Sequence, residues 1–277
     1  MDKVYIQTYS LGQTFRDDFK GSMAKLKELG YDGVEFAGYY GDMTAPELKA
    51  YLDEIGLECV SGHVQLAQVE ETIPFLKEVG AKLIICPMTR FQTMEECLAV
   101  AAEFNHLGKL AKEAGLQFGY HNHTDEFNAI DGKYLLEIIM DNTDPDLVKF
   151  QVDVGWAAAA GINVPEFLTK HQDRLCAIHV KEADRVVGPQ KPLDFSKVKH
   201  TEDGRPIFPP ELLAHLDEMK HLDCPTGKGL TNWKVVRDIA NAAGAGIYII
   251  EREWDYKGDD IFGCVKEDID SLREIFA

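Results

Sequence analysis

The chain has 277 residues, 45% of them hydrophobic and 27% charged, so it can bury a large core without disulfide or metal staples. Its net charge of −18, from 29 basic and 47 acidic residues, argues against a nucleic-acid partner, which needs a basic footprint. The acidity is read as favouring solubility.

The N-terminus, MDKVYIQTYS, enters a strand-like run at once. It lacks a basic segment followed by an apolar one, so no signal peptide is expected. No apolar run approaches the roughly 18 residues a membrane span needs. A cytoplasmic protein without a membrane partner is the expectation. Short runs rich in β-branched and aromatic residues then recur: 4-VYIQTYS, 33-GVEFAG, 57-LECVSGHV, 82-KLIICPM, 116-LQFGYHN, 147-LVKFQVDV, 174-RLCAIHVK and 246-GIYIIERE. Between them lie segments of helical period, such as 15-FRDDFKGSMAKLKELG, 46-PELKAYLDEIG, 68-QVEETIPFLKEVG, 94-MEECLAVAAEFNHLGKLAKEAG and 232-NWKVVRDIANAAG. These five end in Gly30, Gly56, Gly80, Gly115 and Gly244, each placed for a left-handed helix cap.

Amphipathic helix, glycine, then a continuous apolar strand is thus one repeated unit, and continuous apolar strands are those buried on both faces. Eight strands alternating with helices predict a single α/β domain over 1–277, a closed (β/α)8 TIM barrel. An open doubly wound sheet usually carries a Gly-rich phosphate loop after its first strand. Here that place reads 8-TYSLGQTF, with one glycine, so the dinucleotide fingerprint is absent. The six cysteines form no CxxC pair, and Cys59, Cys86 and Cys176 lie inside apolar runs, where a thiol acts as a small hydrophobe. From Glu182 to about Gly229 the chain shows no clear strand and many turn signals. Such length predicts a functional loop on the active-site side after strand seven, with a short helix over 209-PPELLAHLDEMKHL; a structural or oligomer-contact role is the alternative.

Barrels of this kind keep their chemistry at the C-terminal strand ends. Strand two carries Glu35; strand three ends at His63, strand five at His121 and His123, and strand six at Asp153. Strand seven ends at His179 and Lys181, and strand eight at Glu251 and Glu253. Alternation puts His121 with His123 on one face, His179 with Lys181, and Glu251 with Glu253. Each residue also has an ordinary reading. Asp153 can be an N-cap, a histidine can be a hydrogen-bonded core residue, and Glu251 can pair with Arg252. Together, however, Asp153, His179 and Glu251 would cost several kcal/mol as unshared buried charge, and a divalent cation removes that cost. Two carboxylates with one or two imidazoles suit manganese, cobalt, zinc or iron, and magnesium less well.

The motifs 151-QVDVGW, 179-HVKE, 227-GKGLTNW and the closing 249-IIE resemble those of the sugar phosphate isomerase/epimerase family, within the xylose isomerase-like TIM barrel superfamily. The YHNH at 120–123 resembles one subgroup of it. The resemblance runs over nearly the whole chain and implies one divalent metal held from strands five to eight, by His121, Asp153, His179 and Glu251. His121 stands where the family often has glutamate, HVKE replaces HxKD, and Glu253 stands where aspartate is common. The AP endonuclease branch would place a further histidine where this chain has Trp156, so DNA repair is not expected.

The implied activity is isomerisation or epimerisation of a keto-sugar or related polyol through an enediolate, with a homodimer implied by the family. Glu251 or one of the strand-five histidines, His123 foremost, would move the proton, and Lys181 would stabilise the oxyanion. His63, Trp156, Glu35 and Glu253 would contact substrate, Glu35 equally by orienting a neighbour. A lyase or dehydratase acting on a keto-sugar, inosose or 3-keto-glycoside is the alternative, favoured by the strand-five histidine. A non-catalytic sugar-binding barrel is a third reading, against which the full ligand set argues. No phosphate cradle is evident.

Overall fold

The computed structural model describes residues 2–277 except 192–197, 201–205, 211, 215, 216, 218–221, 255, 257 and 259. Eight parallel strands close into a barrel, as the repeated units predict. We number them β1 (Lys3–Gln7), β2 (Gly33–Phe36), β3 (Glu58–His63), β4 (Leu83–Cys86), β5 (Gln117–His121), β6 (Val148–Asp153), β7 (Leu175–Val180) and β8 (Ile247–Ile250). Each pairs with its chain neighbours, and β8 closes the ring on β1 with Ile6 opposite Ile250.

Helices cover the outside, and the main apolar cluster lies between them and the strands. Gly30, Gly56, Gly80 and Gly115 cap their helices at φ values of 94, 70, 92 and 89°. Gly244 departs from that expectation: the helix Trp233–Ala242 is capped by Ala243, and Gly244 takes its positive φ one residue later. The helix expected from residue 15 is two, Gly12–Asp17 and Phe19–Leu29. Asp18 breaks it by leaving helical geometry to accept a hydrogen bond from the Gly21 N–H. The structure adds helices that the periodic segments left unmarked, among them Leu135–Asp141, Val154–Ala159 and Ile261–Phe276.

Inside the barrel, chemistry changes with height. Tyr5, Val60, Leu83, Ile85, Cys176, Ala177 and Ile249 form a small apolar plug. Gly119 faces this plug, where an added Cβ would come within 2.7 Å of Ile85. Two residues further along the same strands the side chains turn polar: Gln7 after Tyr5, His121 after Gly119, His179 after Ala177 and Glu251 after Ile249.

The expected strandless connection after β7 holds a short antiparallel ladder of Lys199–His200 with Pro206–Ile207. Its two ends are pinned beside β7, where Ala183 bridges Asp223 and accepts a hydrogen bond from the Leu230 N–H. Half of the helix expected over 209–222 lies outside the described residues; Leu212 and Leu213 bond back to the Pro209 carbonyl in helical fashion. Among the described residues no helix is long and apolar enough to cross a membrane.

Candidate metal centre

At the C-terminal end of the barrel, ligand atoms of His121, Asp153, His179 and Glu251 lie within 4.8 Å of one another, all four residues buried. They come from the ends of β5, β6, β7 and β8. His179 is central: its Nδ1 stands 3.4 Å from Asp153 Oδ2 and 3.4 Å from Glu251 Oε2. Neither His179 Nδ1 nor Asp153 Oδ2 has a hydrogen-bond partner. Buried polar atoms without partners cost free energy, so this pair is the feature to explain.

Asp153 fills the N-cap role weighed for it and leaves one oxygen over. Its Oδ1 accepts a hydrogen bond from the Trp156 N–H at 2.7 Å, capping the helix Val154–Ala159. Its Oδ2 is left facing the cluster. Gly155 allows this turn to pack closely, since a Cβ there would meet the Lys181 carbonyl oxygen at 2.5 Å.

A second histidine group, His63 with His121 and His179, overlaps the first. Beneath it lies Glu35, fully buried. Oε1 of Glu35 accepts hydrogen bonds from Gln7 Nε2 and His179 Nε2, both at 2.8 Å. Its Oε2 accepts from Ser61 Oγ at 2.5 Å and Gln151 Nε2 at 2.7 Å. Glu35 therefore sits under the floor of the site, with its oxygens already engaged by protein groups. It is not among the residues that line the cavity above, and its bond to His179 suits the orienting role weighed for it.

The electrostatics follow from three buried carboxylates around imidazoles. Burial opposes ionisation of Glu251, but His179 together with Lys181 and His63 outweighs it and holds the carboxyl at about 2. Burial likewise opposes ionisation of Glu35, and His63 and His179 carry it well below the usual range. His179 is raised well above an ordinary histidine, against its burial, by Glu251, Asp153 and Glu35. His121 is lowered, first by burial and then by the neighbouring imidazoles. Three carboxylates thus place negative charge around His179.

Above the cluster opens a cavity of about 380 Å³, lined in part by Tyr9, His63, His121, His123, Glu251 and Glu253. His123 lies beyond the end of β5, its ring centred 5.0 Å from that of His121, and its Nδ1 has no partner. Trp156 stands behind His123, ring centres 5.9 Å apart, with its indole N–H also unpartnered. Lys181 is buried with its ammonium 4.8 Å from the Trp156 ring centre and 5.3 Å from that of Trp254. Its nearest anions are Glu253 at 3.3 Å and Asp223 at 4.0 Å. Burial works against the charge of Lys181, but Asp223 and Glu253 outweigh it and raise its pKa. Glu35, Trp156 and Lys181 are thus brought to the site but stand behind its lining.

Several neighbours escaped the sequence reading. Gln7 and Ser61 had no motif of their own, and Gln151, the first residue of QVDVGW, had been given no role, although Ser61 and Gln151 lie two residues before His63 and Asp153 and so share their faces. Asp223, in the long connection, accepts hydrogen bonds from the Glu253 and Trp254 N–H groups and fixes the chain leaving β8. Glu182, the acid of HVKE, does not face the cluster. It binds the Gly227 and Thr231 N–H groups and the Trp233 indole, which ties the GKGLTNW motif to β7.

A model of the xylose isomerase-like TIM barrel matches residues 23–275. The chain belongs to that family. A curated relative, an inosose dehydratase of Bacillus cereus, is 26% identical over 86% of this chain and 83% of its own length. Among solved structures, a sugar phosphate isomerase/epimerase from Parabacteroides distasonis superposes with a TM-score of 0.78 at 24% identity, covering 98% of this chain and 93% of that one. The 3-keto-D-glucoside 4-epimerase of E. coli superposes with a TM-score of 0.66 at 17% identity, covering 99% and 100%. These likenesses fix the xylose isomerase-like fold of this chain.

Glu126, just beyond the site, provides a pH test of this region. Its carboxylate accepts hydrogen bonds from Tyr120 Oη and the His123 N–H. Burial, then the charge of Asp125, pushes it up to about 8 from an ordinary 4.5. The folded protein therefore keeps a proton that the unfolded chain has released between those values, so stability falls as pH rises through that window. Glu126→Gln, neutral at every pH, is expected to remove most of that loss, on the order of a few kcal/mol. Melting temperatures of both proteins at pH 6 and pH 9 check it, and parallel declines would refute the assignment.

Proposed function

We propose that this chain is a divalent-metal-dependent isomerase or epimerase acting on a keto-sugar or related polyol through an enediolate. The observation that carries the reading is the pair of buried, unpartnered ligand atoms, Asp153 Oδ2 and His179 Nδ1, inside the four-residue cluster. Two carboxylates and two imidazoles fit manganese, zinc, cobalt or iron, with magnesium a poorer match. His121, Asp153, His179 and Glu251 would hold the cation, which supplies Lewis acidity toward a substrate carbonyl.

The protein's own groups do the rest. Glu251 and His123 both line the cavity and are placed to take the proton from the α-carbon and return it. Isomerisation returns it to the neighbouring carbon and epimerisation to the opposite face. Lys181, charged and shielded by two indoles, stabilises negative charge developing on a substrate oxygen. His63 and Glu253 meet the substrate hydroxyls from the cavity wall, and the free Trp156 indole N–H donates behind them.

A second reading is dehydration, in which the same enediolate expels a β-hydroxyl. The curated relative named inosose dehydratase, similar over 86% of this chain, favours it. Two measurements decide. Elemental analysis and titration with Mn²⁺, Co²⁺ and Zn²⁺ test the cation; protein that binds none sinks both readings. Keto-sugars, 3-keto-glycosides and inososes incubated in D₂O then test the chemistry. Deuterium entering the α-position without loss of water supports the first reading, and release of water the second.

A further inference from the structure

Glu35 lies outside the four-residue cluster, yet every ring nitrogen bonded beneath the cavity leads to it. We propose that Glu35, directly and through Gln151, is the positioning residue that sets which nitrogen each cluster histidine presents to the cation. The inference rests on the metal reading of the site above.

A carboxylate can only accept hydrogen bonds. Gln151 must therefore turn its amide N–H toward Glu35 Oε2, which lies 2.7 Å away. The amide oxygen of Gln151 is then forced toward the histidines, 3.1 Å from His121 Nδ1 and 2.9 Å from His63 Nε2. That oxygen also only accepts. The proton of neutral His121 consequently sits on Nδ1, and Nε2 keeps its lone pair for a cation. His179 receives the opposite instruction. Its Nε2 donates to Glu35 Oε1 at 2.8 Å, which leaves Nδ1 turned to Asp153 and Glu251. One acceptor-only group thus selects opposite tautomers in two ligands. Carboxylates placed behind metal-bound histidines generally fix ring orientation and raise ligand basicity.

The backbone supplies an independent sign. The barrel register slips between Val34 and Glu35 against β3, and between Phe150 and Gln151 against β7. Irregularities of this sort re-aim side chains beside functional sites. Both fall at the residues that meet across the barrel, 116 positions apart in sequence.

The test uses the whole protein with zinc and ¹⁵N-labelled histidine. In zinc-loaded wild type, NMR should show His121 bound through Nε2 with its proton on Nδ1, and His179 bound through Nδ1 with its proton on Nε2. The reverse assignment at either residue overturns the proposal. Glu35→Gln keeps the shape but places an amide N–H against groups that themselves donate. It should lower zinc affinity about 10–100-fold and scramble the two tautomers, while the melting temperature of the metal-free protein identifies any folding defect. Zinc affinity within about twofold of wild type overturns the proposal and leaves the metal reading intact. Should the variant not fold, the wild-type spectrum alone decides. Wild-type protein that binds no zinc overturns the metal reading and this inference together.

Discussion

Asp153→Asn is expected to weaken divalent-metal binding by at least about 100-fold and to lower turnover on the order of 10³-fold, several kcal/mol of lost charge stabilisation. The fold should survive. Only Oδ2 faces the cluster, whereas Oδ1 caps a helix by accepting from the Trp156 N–H. Asparagine can keep the cap through its amide oxygen but offers an uncharged N–H in place of Oδ2. Asp153→Ala removes both functions and should cost about 1 kcal/mol more in unfolding free energy. Calorimetric metal titration of the two variants, with their denaturation curves, separates the roles. Undiminished metal affinity in Asp153→Asn would remove β6 from the proposed ligand set.

His123→Gln should do the reverse. His123 stands outside the four-residue cluster, lines the cavity and has an unpartnered Nδ1. As a proton carrier its loss should slow α-proton exchange by about 10²–10⁴-fold while leaving metal affinity within a few-fold of wild type. Exchange into D₂O followed by NMR, beside a metal titration, reads both. His121→Ala should lose the metal instead. If metal affinity follows His123 and is indifferent to His121, the ligand on this segment lies two residues further along than proposed.

Much of this architecture is legible in the chain because it arises locally. Apolar runs such as LIIC at 83–86, each preceded by a helix and a glycine, announce strands buried on both faces of a barrel. Period-two alternation then puts His121, His179 and Glu251 two residues above Gly119, Ala177 and Ile249, on the inward side. The cluster could therefore be assembled residue by residue from strand ends. The break at Asp18 was hidden for an equally local reason: its side-chain capping bond competes with a periodicity that continues on both sides.

What escaped the sequence depends on closure. Glu35 meets His179 across 144 positions and Gln151 across 116, so no window of the chain shows them as partners. Glu182 and Asp223 look like further acids of a mouth rich in acids, yet one ties a loop to β7 and the other fixes the exit of β8. By itself the sequence determined eight strand-helix units and the inward ring of imidazoles and carboxylates, because side-chain alternation is a property of each strand alone. Only the tertiary structure decided which oxygen of Asp153 is spent on a helix cap and which nitrogens of His121 and His179 remain free. Those choices depend on hydrogen-bond partners from other strands, which come within reach only when β8 closes on β1.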